Sequence, residues 1–245
     1  MFLKTFFYFL LLIISTAKSI SFHTQSTKPT SINKSFLSVS GGEKYSEDNT
    51  GSEKHEIVEE KLMYKRWRTL VSRIVRCPDG RVLDFDVVGQ AGSNRAVLIF
   101  AFNTQTKTAT LVREYMPGAN QMKYGVAAGL VEKKHVIEGD EDPKMIAARH
   151  ELEEECHLVG GTWIQLTNDT IMDKYATTVV NVYLVLDAEE AIDPKPLDEE
   201  EDIEIISNVS IPDILAMIAD GEMNVVGGWA SLVAIQKLQE MKLAS

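Results

Sequence analysis

The chain has 245 residues, of which 44% are hydrophobic and 25% charged, and its formal net charge is −11. That length suits one domain with extensions, or two small ones, and the composition is that of a globular protein, neither collagenous nor disordered throughout. The negative charge excludes broad, nonspecific nucleic-acid binding, which needs a basic face against the phosphates, but leaves open a phosphate ligand bridged by a divalent cation.

The charge is unevenly spread. Residues 1–56 carry six Lys and five acids, whereas the remaining 189 carry nineteen basic and thirty-one acidic side chains. The first 42 residues contain four Lys and no acid. The acidity therefore belongs to the part that folds. Two cysteines, Cys77 and Cys156, stand in no CxxC or Cys/His cluster. They read as small buried hydrophobes.

Residues 1–19 read MFLKTFFYFLLLIISTAKS, with Lys4 ahead of a nine-residue apolar run over 6–14. The run is shorter than the roughly 20 residues of a membrane-spanning helix and fits a secretory signal peptide. Phe22 and the acid-free Ser/Thr-rich tract after it have transit-peptide composition. Together they resemble the bipartite plastid presequence of algae with secondary plastids, with simple secretion as the alternative address. Residues 1–21 are thus expected to be a signal peptide, 22–56 a transit-like disordered linker, and 57–245 the folded domain, with no membrane in the mature form. Asn33-Lys-Ser, Asn168-Asp-Thr and Asn208-Val-Ser fit a glycosylation sequon, a triplet that arises often by chance.

In the folded part, residues 59–72 mix apolar and charged side chains without a clean period. Cys77-Pro-Asp-Gly-Arg81 is a turn, with Pro78 presetting φ and Gly80 accepting a positive one. Residues 82–88 (VLDFDVV) alternate as a half-buried strand does. Residues 96–102 (AVLIFAF) are a buried strand, 103–107 a polar hairpin tip, and 109–115 the returning partner. Residues 124–130 (YGVAAGL) are small and glycine-rich. Asp142 and Pro143 open a helix as N-cap and first residue, and it is expected to run to about His157, before Gly160-Gly161. Residues 179–186 and 203–210 are strands, 211–220 is a short helix ended by Gly221, and 231–241 is a final amphipathic helix. Strands, helix, strands and helices in that order predict an α/β (α+β) fold, a mixed sheet sandwiched between helices.

The richest stretch is residues 147–158, AARHELEEECHL. Glu151, Glu154 and Glu155 stand at i, i+3 and i+4 and share one face of a helix. Such like charges repel, and a bound divalent cation would remove that cost. A solvated acidic face is the plainer reading of the triplet taken alone.

With Gly129-Leu-Val-Glu132, Gly139 and Asp142-Pro143 ahead of it, this stretch resembles the Nudix box, G-x5-E-x7-R-E-U-x-E-E-x-G-U with U a bulky aliphatic. Glu151 matches the Glu of R-E, Leu152 the first U, Glu154 and Glu155 the E-E pair, and Leu158 the last U. Three positions depart: His150 stands in place of Arg, His157 in place of Gly, and Asp142 in place of Glu. The loop between Gly129 and the helix is also longer than in the compact box. Trp67, the 77–81 turn and Phe85-Asp-Val-Val resemble the N-terminal strands of the ADP-ribose pyrophosphatase branch. Val112-Arg-Glu-Tyr-Met-Pro resembles its substrate-contacting strand and turn, Ala127-Ala-Gly-Leu130 the P-A-G-L that opens its box, and Glu199-Glu-Glu-Asp-Ile-Glu204 with the helix that follows its C-terminal section. Gly125 departs again, since the branch has Glu there.

The resemblance implies a Nudix-type fold and hydrolysis of the diphosphate of a nucleoside diphosphate linked to a second group. It implies Mg²⁺ or Mn²⁺ held by Glu151, Glu155, Glu201 and the Ala128 carbonyl, with Glu154 a nearby ligand or orienter. Glu199 would be the catalytic base, with Glu200 open as the alternative register, and Arg113 a phosphate or ribose contact. His150 and His157 are expected to be structural or exposed. Trp67, Trp163 and Trp229 are expected in the core or at an interface. The branch implies a homodimer. The departures motivate an alternative: a Nudix-fold nucleotide-binding or regulatory module with weakened chemistry.

Overall fold

The computed structural model describes residues 54–136, 141–197 and 201–244. The expected signal peptide, the transit-like tract up to residue 53, the part of the long box loop around Gly139, and Glu199 with Glu200 lie outside the described residues, while Glu56, expected in the tract, opens the first strand.

Two strand pairings come before the central sheet. β1 (Glu56–Lys65), β2 (Arg68–Arg76) and β3 (Val82–Gln90) form an antiparallel three-stranded sheet, with the 77–81 turn joining β2 to β3. All ten residues of β1 are exposed, including Ile57, Leu62, Met63 and Tyr64. That explains why residues 59–72 show no burial period.

The central sheet is mixed. β4 (Arg95–Asn103) and β5 (Thr108–Met116) form the expected hairpin, but they pair only over residues 101–103 and 108–110. Beyond that they part. β6 (Gln121–Gly125) adds to β5, and β7 (Ala127–Leu130) to β4. A short 3₁₀ turn, Lys133–His135, follows, and then helix α1 (Pro143–Cys156). β8 (Leu158–Val159), β9 (Thr162–Gln165) and β10 (Thr170–Ile171) are brief. β11 (Val179–Leu186) runs parallel to β4, with β9 and β10 against it. β12 (Glu189–Glu190) pairs with β8. β13 (Ile203–Ser210) closes the sheet on β5, and helices α2 (Ile211–Ala219) and α3 (Val225–Glu240) end the fold.

The period of two along β4 builds both cores. Val97, Ile99 and Ala101 face one way, with Tyr183 and Val185 of β11, and meet Ala147, Ala148, Leu152 and Cys156 of α1. Leu98, Phe100 and Phe102 face the other way and meet Ile214 of α2 and Ala230, Ala234 and Leu238 of α3. β4 and β11 are covered on both faces, so their sequences are continuous apolar runs rather than alternating ones. Among the described residues no helix is long and apolar enough to cross a membrane.

α3 starts at Val225, earlier than the expected 231, with the Asn224 side chain capping the Gly227 N–H at 2.7 Å. The glycine at 227, inside the first turn of α3, serves close packing. A Cβ on Gly227 would lie 2.9 Å from the Gly125 Cα, and one on Gly125 would lie 2.7 Å from the Asn224 amide. Gly125, the departure from the branch pattern, is therefore the floor on which the first turn of α3 rests.

Candidate active site

α1 begins as the residues predict. Asp142 caps it, its carboxylate accepting from the Lys144 N–H at 3.0 Å, and Pro143 holds the first helical position. Asp142 is thus a helix cap. The helix ends at His157, which adopts the left-handed conformation (φ 55°, ψ 33°), ahead of the two glycines expected to stop it. That conformation is why the box has Gly at this place: a Cβ is strained there. His157→Gly is expected to stabilise the domain by about 0.5–1 kcal/mol, raising Tm by roughly 2–4 °C per kcal/mol. A calorimetric scan that shows no rise would refute the reading of this helix end.

The apolar stripe of α1 lies on the sheet, so the neighbouring face, carrying Glu151 and Glu155, is pressed against β7. Both carboxylates are buried, at 8% and 4% exposure, while Glu154 is half-buried at the edge. Glu155 accepts a hydrogen bond from the Ala128 N–H at 2.8 Å. The Glu151 carboxylate sits against the Cα of Gly129, where a Cβ would overlap it. Ala128 and Gly129 are themselves fixed opposite Leu98 and Val97 of β4.

Burial pushes the Glu155 carboxyl well above the usual carboxylate range. The Ala128 N–H pulls it back, and the charges of Glu151, Glu201 and Glu114 push it up further. Glu201 reaches this place because the acidic run continues β13 along β5, the Tyr115 N–H donating to the Asp202 carbonyl at 3.2 Å. Glu114, on β5 itself, is also raised by burial. Carboxylates from three segments therefore bear on Glu155. Among the described residues no group of three His, Cys, Asp or Glu forms a ready-made cation cage. Oxygen donors alone, with a buried carboxylate among them, are the donor chemistry that Mg²⁺ or Mn²⁺ takes.

Glu114 is the site residue that the sequence reading passed over in favour of its neighbour. Arg113 and Glu114 lie on opposite faces of β5. Arg113 pairs with Glu204 at 3.0 Å and sits over the Tyr124 ring, which belongs to the core beneath α2 and α3. Glu114 shares its face with Val112, on the α1 side. The structure therefore seats Glu155 on Ala128 and Glu151 on Gly129, leaves Glu201 and Glu114 bearing on Glu155 through their charge, and keeps Arg113 on the other face. The usable signal was the strand alternation through Leu111 and Val112.

The remaining residues fall as follows. Arg149 pairs with Glu141 and not with the helix carboxylates. His150 packs edge-on against His135. Trp67 is exposed, Trp163 is half-buried against Tyr183 with its Nε1 donating to the Gly160 carbonyl, and Trp229 is half-buried against the core beneath α2 and α3. Cys77 and Cys156 are buried and unpaired with each other.

No family model matches the sequence, and no curated protein matches it. Its fold matches solved structures, 190 chains in all. One of them, described as the crystal structure of an ADP compounds hydrolase, superposes with a TM-score of 0.63 at 19% identity. The match covers 78% of this chain and 97% of that one. The fold is Nudix-like.

Proposed function

We propose that the chain is a metal-dependent hydrolase that cleaves the P–O–P bridge of a nucleoside diphosphate joined to a sugar, of the ADP-ribose or ADP-sugar type. Water adds across the bridge, giving a nucleoside monophosphate and a sugar phosphate. The observation that carries this reading is the buried Glu155 carboxylate among Glu151, Glu201 and Glu114. Burying an ionised carboxylate beside others is unfavourable, and a bound cation or an added proton relieves it; a cation does so for the whole group at once. The neighbour described as an ADP compounds hydrolase agrees with the substrate class.

Glu151, Glu155, Glu201 and the Ala128 carbonyl would hold the cation, with Glu154 orienting from the edge of the helix and Glu114 close by. When bound, Mg²⁺ or Mn²⁺ supplies neutralisation of the phosphoryl oxygens and lowers the pKa of water. Glu199, by its place in the sequence, would orient the attacking water and accept its proton. Arg113 is given no step, because Glu204 and Tyr124 hold it on the other face. A homodimer belongs to the same reading, supported by the apolar side chains along the fully exposed β1.

The test is a phosphatase-coupled phosphate assay on the domain from residue 54, with ADP-ribose and ADP-glucose, with Mg²⁺ and with EDTA. Turnover that needs the metal is expected, and light scattering of the same preparation is expected to give twice the chain mass. Nucleotide binding without turnover would favour the regulatory module, and a monomer would remove the dimer.

A further inference from the structure

Helix α1 is held on two flanks. On one, Ala147, Ala148, Leu152 and Cys156 pack on the sheet. At about 100° per residue, His150 and Glu153 lie on the opposite flank. There the His150 ring meets His135, with centroids 5.1 Å apart and planes at 80°. Beside it Lys195 bonds the Glu153 carboxylate at 2.7 Å.

His135 is fully buried, and its position is fixed by its own turn. The Glu132 carbonyl accepts from the His135 N–H at 3.1 Å, and His135 Nδ1 accepts from the Glu132 N–H at 3.0 Å. With Nδ1 accepting, the ring proton of the neutral imidazole lies on Nε2. That buried Nε2 has no hydrogen-bond partner. A buried donor without an acceptor is destabilising, so hydrogen bonding at Nε2 does not account for the burial of the ring. Burial lowers both histidines from the usual range. Lys134, Lys195, Glu132, Glu153 and Glu154 are the charges that face the pair. Among the described residues, the His135 ring is the partner of the His150 side chain.

We propose that His135 and His150 act as one brace that sets the roll of α1 about its axis. It would thereby set the positions of Glu151, Glu154 and Glu155. This rests on the function proposed above. The lever is short but sufficient. With side chains ending roughly 6 Å from the helix axis, a roll of about 10° moves a carboxylate by about 1 Å. Misplacement on that scale can cost on the order of 100-fold in rate.

The experiment compares wild type with His135→Ala, His150→Ala, the double variant and His150→Phe, by steady-state kinetics and by hydrogen exchange. Each alanine variant is expected to lower kcat about 10-fold with KM within about twofold, and the double variant to be no worse than the poorer single. His150→Phe, which keeps a ring on the half-exposed side of the pair, is expected to retain most of the activity. Amides of residues 144–156 are expected to exchange faster in the alanine variants, while those of 179–186 stay as in wild type. Independent losses that multiply to about 100-fold in the double variant would overturn the brace, as would wild-type exchange and turnover in the single variants. If wild type itself shows no turnover, the proposed function fails, and the exchange of residues 144–156 still decides the brace.

Discussion

Glu155→Gln is expected to lose about 1,000-fold or more in kcat/KM while raising the melting temperature in EDTA. Glutamine is nearly isosteric and can still accept the Ala128 N–H that Glu155 accepts at 2.8 Å. What it removes is one negative charge, 4% exposed, acted on by Glu151, Glu201 and Glu114. Without a cation that charge only costs stability, and its removal is worth about 1–2 kcal/mol. In a domain of this size that is roughly 2–4 °C per kcal/mol. With a cation the balance inverts. A ligand bound to the folded state at 100 times its Kd adds about 2.7 kcal/mol, and a variant lacking one ligand gains less. Thermal scans should therefore cross: the variant melts higher in EDTA and wild type melts higher in saturating Mg²⁺. The loss of several kcal/mol of charge stabilisation in the transition state, at 1.36 kcal/mol per tenfold, gives the kinetic figure. A variant that melts below wild type in EDTA would show that Glu155 serves the fold and not a cation.

The chain spelled out the parts of this fold that are buried symmetrically and the parts that carry caps. The apolar runs of β4 and β11 could only be strands covered on both faces, and Asp142-Pro143 marked the start of α1. What stayed hidden was structure without a burial period or structure made by contact. β1 is exposed at every position, so nothing in its pattern separates it from β2. The first turn of α3, ahead of the expected 231, was missed because the Gly125 backbone on which Gly227 packs is a hundred residues away. The same limit applied at the site. The helix spacing grouped Glu151, Glu154 and Glu155, but Glu114 joins them only through the register that places β5 between β6 and β13. His135 lies in a turn with no periodic signal, and its burial follows from the paired hydrogen bonds with Glu132.

Gly129→Ala separates the chemistry from the fold more sharply than any change to the carboxylates themselves. The three atoms nearest to a Cβ at this place all belong to the Glu151 carboxylate. The backbone cannot yield, because Gly129 is paired opposite Val97, a fully buried residue of β4. The far end of the Glu151 side chain can yield, since it rotates about its own bonds. The methyl group should therefore cost little stability, about 1 kcal/mol or less by the usual scale of a change absorbed by side-chain movement. It should cost a great deal of activity, because the carboxylate must leave its seat by an ångström or more, and misplacement of that size costs on the order of 100-fold. The expected result is a melting temperature within about 4 °C of wild type, kcat lowered about 100-fold, and a raised requirement for Mg²⁺. A large drop in melting temperature would mean that β7 is displaced and that Gly129 serves the sheet. Unchanged turnover at ordinary Mg²⁺ would mean that Glu151 is not among the groups that hold the cation, leaving Glu155, Glu201 and Glu114 to do so.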